Sequence, residues 1–325
     1  LREVSRTDQF KTALVAATKS PLLAAKGLVQ NPVGTVTGIP KGLFKFMNRA
    51  GQGLKERAQG GARSEYEDSN AAQLIGFSKA KRDVALKLGV DPYSSNEALQ
   101  RELNGVAWAA YAGKMTFTLA TAPVGGGAGI ALTATGVTTT FEQALRDQSP
   151  GDLRAANLKR LLAMGCQREL ADSFLRNTAF SPSVQTALVL HLASLEGVAN
   201  RSSFIELADE QSGSEGDALF FSETARLLSQ LHAGGRILQR LEVLNILPVA
   251  LAEDGNVIVA LEWDYAAWTH NAANVIALLK SAKFGKTAPT SYVIALSGDA
   301  SPLLKEKVSD AGVTLATRLA PGPLK

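Results

Sequence analysis

The hydrophobic period of this chain changes at Arg236, and the change decides its fold class. From Asp152 to His232 apolar residues recur at helical spacing. The spacing predicts helices over 153–164, 169–177, 182–195, 204–209 and 218–231. Ser181-Pro182 has the form of an N-cap followed by proline at the first helical position. Gly165, Gly197 and Gly234 stand where helices stop. The short loops predict antiparallel neighbours and hence a bundle. Beyond Arg236, 241–252 and 256–263 read as strands that flank Glu253-Asp254-Gly255, whose Asp-Gly is a hairpin signal. A helix (271–280), a strand (292–296), a helix (303–311) and a strand (313–317) follow. Strand–helix–strand–helix–strand predicts parallel pairing through crossover connections. The fold class expected is α+β, mostly helical in its N-terminal and middle regions with a small C-terminal α/β lobe.

The chain has 325 residues and a net charge of +4. Residues 1–64 hold eleven Lys or Arg against three acidic residues, a net of +8, which leaves −4 for residues 65–325. A basic arm on a mildly acidic body points to an anionic partner. Asn31 to Gly42, with two prolines and three glycines, reads as an extended connector. Leu43 to Arg57 resumes a helical pattern and reads as a short basic amphipathic helix. Its expected surface-binding residues, with the adjoining Lys41, are Lys41, Phe44, Lys45, Phe46, Arg49, Lys55 and Arg57.

Residues 70–88 read as a helix stopped by Gly89, and Ser94 to Glu97 as a capping box for the next. Met115 to Phe141 is 27 residues without a charge, long enough for a membrane span. Eight of them are threonine, and Pro123 and Gly125-Gly126-Gly127 interrupt the middle. Two short buried segments joined at the glycines fit this composition better than one spanning helix. Four segments result: a basic arm (1–64), a helical pair with the uncharged Thr/Gly stretch (65–150), a helical bundle (151–235) and the α/β lobe (236–325).

Motifs for common chemistries are missing. Counting from Gly125, the third glycine of a dinucleotide fingerprint falls on Ile130, and no phosphate-loop, zinc-protease or nucleophile-elbow pattern occurs. One cysteine, Cys166, rules out an internal disulfide framework and reads as a buried inert thiol. Of the three histidines, His191 reads as a core or half-buried residue with a bonded ring nitrogen. His232 reads as a cation complementing a helix end, and His270 as following a Thr269 N-cap.

One constellation remains. Glu262 and Asp264 stand at i and i+2 near the end of an apolar strand, which places both side chains on one face. Asp254 lies in the preceding turn, His270 six residues on, and Asp299 ends the next strand. Ligands of open α/β sheets bind beyond the carboxyl ends of strands, where carboxylates suit Mg²⁺. The element order is similar to a nuclease-type α/β core. That resemblance implies a metal-dependent hydrolase or nuclease with Glu262, Asp264 and His270 as catalytic candidates and Asp254, Glu262, Asp264 and Asp299 as metal candidates. The lysine that such cores place two residues after the acid is absent, because position 264 is Asp.

The leading expectation is non-enzymatic and cofactor-free. It is a scaffold or binding protein whose arm docks on an anionic membrane surface or an acidic protein face, with a partner protein allowed for and nucleic acid ranked below. Peripheral membrane or cell envelope is the compartment this implies, ahead of the cytoplasm. The alternatives are the Mg²⁺-dependent hydrolase and a carrier of an apolar ligand lined by the Thr/Gly stretch.

Overall fold

The computed structural model describes residues 76–111, 136–284 and 288–319. The basic arm with its seven surface-binding residues, and Gly125–Gly127, lie outside the described residues. Among the described residues no helix is long and apolar enough to cross a membrane. The chain is α+β: ten helices and a mixed five-stranded sheet near its C-terminus are described. Of the described residues, 76–111 and 142–153 fall in one compact unit, and 136–141 with the chain from 154 onward in a second.

The first unit contains α1 (Phe77–Lys87), α2 (Glu97–Tyr111) and the end of α3 (Gly136–Asp147). Phe77 stacks on Trp108 with ring centroids 4.1 Å apart, and Tyr111 meets both rings edge-on. Buried Arg82 donates through Nε to the Arg146 carbonyl at 3.2 Å, satisfying an orphan carbonyl in the last turn of α3. Gly89 takes a left-handed φ of 65° just beyond α1, the expected stop. The expected capping box at Ser94 does not form. Asn96 caps α2 instead, its Oδ1 accepting from the Leu99 amide at 3.0 Å, because the Ser94 hydroxyl is used by the Asn96 amide.

The helices of the second unit are the later part of α4 (Pro150–Ala163), α5 (Arg168–Phe174), α6 (Pro182–Ala193), α7 (Arg201–Gln211) and α8 (Glu215–Ala233), with α9 and α10 further on. Ser149, Ser181 and Ser301 each stand before a proline and each cap a helix by accepting from the amide three residues on. Only the second of these was expected from the sequence. A Ser214–Asp217 capping box starts α8 three residues earlier than the apolar pattern suggests. The main helix contact is between non-consecutive elements. α6 packs along α8, and the Ser194 and Ser229 hydroxyls meet at 2.9 Å near the C-terminal end of each. Extensive packing with both helices ending near one contact means that they run in the same direction. The antiparallel expectation concerned helices joined by short loops and does not apply to this pair, since α7 intervenes.

The sheet has the order β1-β2-β3-β5-β7, from β1 (Leu238–Leu244), β2 (Leu247–Ala252), β3 (Asn256–Leu261), β5 (Ser291–Leu296) and β7 (Thr314–Ala316). β1, β2 and β3 are antiparallel, and β3, β5 and β7 are parallel, as the alternation predicts. The single strand expected over 241–252 is a hairpin. Asn245 adopts φ 58° between Leu244 and its partner Leu247, and no glycine marks the turn. The outer edge of β1 is covered by Ala199, which exchanges hydrogen bonds with Gln239 and Leu241. β4 (Tyr265–Ala266) and β6 (Asp299–Ala300) form a small parallel pair of their own.

Successive residues of the central strands serve two cores. Ile258, Ala260, Val293 and Ala295 join the core of helices α4–α8, where Phe174 and Phe204 are fully buried. Val257, Val259, Leu261, Ile294 and Leu296 pack with α9 (His270–Ser281) and α10 (Pro302–Asp310). This two-sided burial explains the nearly continuous apolar runs 257–261 and 293–296, since parallel strands covered on both faces need no polar alternation. Each fully buried Leu or Phe contributes roughly 1.5–3 kcal/mol.

Candidate functional site

The carboxyl ends of β3 and β5 are held together backbone to backbone. Ser297, Gly298, Asp299 and Ser301 donate in turn to the carbonyls of Leu261, Trp263, Asp264 and Ala266, at 2.8–3.2 Å. Gly298 is required here: a Cβ would lie 1.9 Å from the Asp264 carbonyl oxygen and 2.5 Å from that of Trp263. The platform leaves Trp263 and Tyr265 exposed while Ala266 and Ala300 face the core.

Glu262 turns inward from this platform. Its Oε2 lies 3.4 Å from Nη2 of Arg226, which α8 supplies, and Arg226 Nε holds Glu223 Oε2 at 2.5 Å. The Arg226 side chain is 4% exposed, against 16% for Glu223 and 23% for Glu262, so the guanidinium is the buried member of the trio. Burial pushes the Glu262 carboxyl above its ordinary range; Arg226 opposes this, and Glu223 and Asp264 add to it. Asp264 is exposed, because β3 ends at Leu261 and the Trp263 amide folds back onto the Leu261 carbonyl.

The other expected residues are placed as follows. Asp299 accepts from Lys305 Nζ, Arg318 Nη2 and the Ala300 amide, all at 2.7 Å, and these bonds, that of Lys305 foremost, hold its carboxyl well below the usual range. Asp254 sits at the opposite end of β3, bonded to Asn256, about 20 Å of strand away. His270 is exposed as the first residue of α9, whose N-cap is Thr269, with its hydroxyl oxygen accepting from Ala272 at 3.1 Å. Cys166 is buried, and its thiol is pushed up to about 11 by burial. His232, in the last turn of α8, accepts at Nδ1 from the Leu238 amide at 3.0 Å and so ties α8 to β1. His191 is half-buried, and its Nδ1 is buried without a hydrogen bond.

Among the described residues no three His, Cys, Asp or Glu side chains form a set that could hold a metal ion. The donor chemistry does not fit Mg²⁺, because Glu262 and Asp299 are engaged by cations of the chain and Asp254 is remote. Sequence reasoning missed Arg226 and Glu223. The signal was an i,i+3 acid–base pair inside an otherwise apolar helix pattern. Comparison with known proteins finds no matching family model, no matching curated protein and no matching solved structure.

Proposed function

We propose that this chain is a non-enzymatic binding protein that docks on an anionic membrane surface through its basic arm, with the folded body as scaffold. The observation that carries the reading is the distribution of charge. The arm holds +8 against −4 in the remainder, and two carboxylates where an α/β sheet presents a ligand, Glu262 and Asp299, are paired with cations of the chain. Each Lys or Arg near an anionic bilayer adds about 1 kcal/mol, and an apolar face with Phe44 and Phe46 adds burial.

The test is flotation with vesicles containing anionic lipid. The full chain should float, and replacing Lys41, Lys45, Arg49, Lys55 and Arg57 together by Gln should strongly reduce flotation while far-UV circular dichroism stays unchanged. Equal flotation of the two proteins contradicts the reading. Retained binding to an acidic protein without vesicle binding would move the partner to a protein face.

A further inference from the structure

The contact of α6 with α8 carries an unusual pair. One turn before the Ser194–Ser229 contact stand His191 and Arg226, also 35 residues apart, so the same register sets them side by side. His191 Nδ1 and Arg226 Nη1 are both buried and neither has a hydrogen-bond partner. The charges around the imidazole are few. α8 presents Arg226, with Glu223 bonded to it, and the end of β3 presents Glu262, bonded to the same guanidinium. α7 presents Arg201, whose Nη1 donates to the carbonyls of Leu192 and Ala193 at 3.3 and 3.5 Å. From α4, neutral Asn157 bonds Thr186 on α6. The two carboxylates of the cluster are thus already committed to Arg226.

We propose that His191 and Arg226 form an acid-sensitive joint between α6 and α8, closed while the imidazole is neutral and parted when it takes a second proton. A second proton on the buried Nδ1 places a cation beside a guanidinium, at an atom with no acceptor to receive it. Burial, with Arg226 adding to it, pushes His191 down to about 4 from an ordinary 6.5. Glu262 acts in the opposite sense: its carboxyl is raised by burial, so its protonation favours the folded state as the pH falls, and comparison with a His191 variant that keeps Glu262 separates the two. Leu188 and Leu192 of α6 and Ala225 and Leu228 of α8 belong to one buried core, which parting the helices would open to water.

The experiment compares the full chain with its His191→Gln variant, which keeps a hydrogen-bonding side chain that does not titrate. Urea unfolding between about pH 7 and pH 5 should lower the wild-type folding constant about 20-fold more than that of the variant. Amide exchange at pH 5 should quicken in wild-type α6 and α8 ahead of α9. Equal losses in the two proteins, or exchange that quickens alike in α6, α8 and α9, overturns the joint. Should the variant fail to fold, the ring nitrogen shifts of wild-type His191 decide the matter. They should report a neutral ring at pH 5.5, and a midpoint at or above the ordinary 6.5 overturns the proposal.

Discussion

Arg226 Nη2 and Glu262 Oε2 meet 3.4 Å apart where α8 crosses the end of β3, and the guanidinium, not the carboxylate, is the deeper of the two. The pair is therefore asymmetric. Replacing Arg226 by Met leaves Glu223 and Glu262 half-buried without a counter-charge and should cost about 2–4 kcal/mol. Replacing Glu262 by Gln leaves Arg226 its stronger partner, Glu223, and should change stability by less than about 1 kcal/mol at neutral pH. Urea unfolding of both variants checks the order, and a larger loss for E262Q than for R226M contradicts it.

The same pair has a pH signature. The folded-state value of Glu262 is raised, so its contribution is fully present below the unfolded value near 4.5 and is lost as pH rises through the folded value. Relative to wild type, E262Q should therefore gain stability from acid toward neutral pH. Melting of both proteins across that range reads the difference, and a relative gain toward acid would contradict the assignment.

Gly298 offers a test of the platform. Its missing Cβ would fall 1.9 Å from the Asp264 carbonyl oxygen, and both neighbours are backbone. Gly298→Ala should cost about 3 kcal/mol, since the two strand ends must separate. Gly213→Ala is the control: nothing lies within 4 Å of its Cβ position, and a surface change of this kind stays within about 0.5 kcal/mol. Similar melting temperatures for the two variants would show that the platform is not rigid.

Much of the fold was legible because it is written locally. The alternation after Arg236 gave the parallel β3-β5-β7 order, and Ser181-Pro182 and Thr269 marked helix starts at their own positions. The hairpin at Asn245 escaped because its left-handed residue is Asn followed by Ile, without the glycine that normally signals such a turn. At α2 two capping side chains two residues apart competed, and sequence spacing did not reveal that Asn96 wins. The candidate site was half visible. Glu262 and Asp264 could be placed at a strand end, but Arg226 lies 36 residues before Glu262 on another element. Periodicity is local and carries no information about which helix face meets which strand end.

At the carboxyl end of the sheet, cations of the chain itself occupy the carboxylates: Arg226 on Glu262, and Lys305 and Arg318 on Asp299. Thermal melting of the full chain with and without millimolar Mg²⁺ or Mn²⁺ tests this pairing directly. The melting temperature should not change, in wild type or in a variant carrying Glu262→Gln and Asp264→Asn together. A saturable rise in wild type, worth about 2.7 kcal/mol at a hundredfold excess over the dissociation constant, that disappears in the double variant would contradict the account. That result would make Glu262 and Asp264 the ligands of a metal-dependent hydrolase.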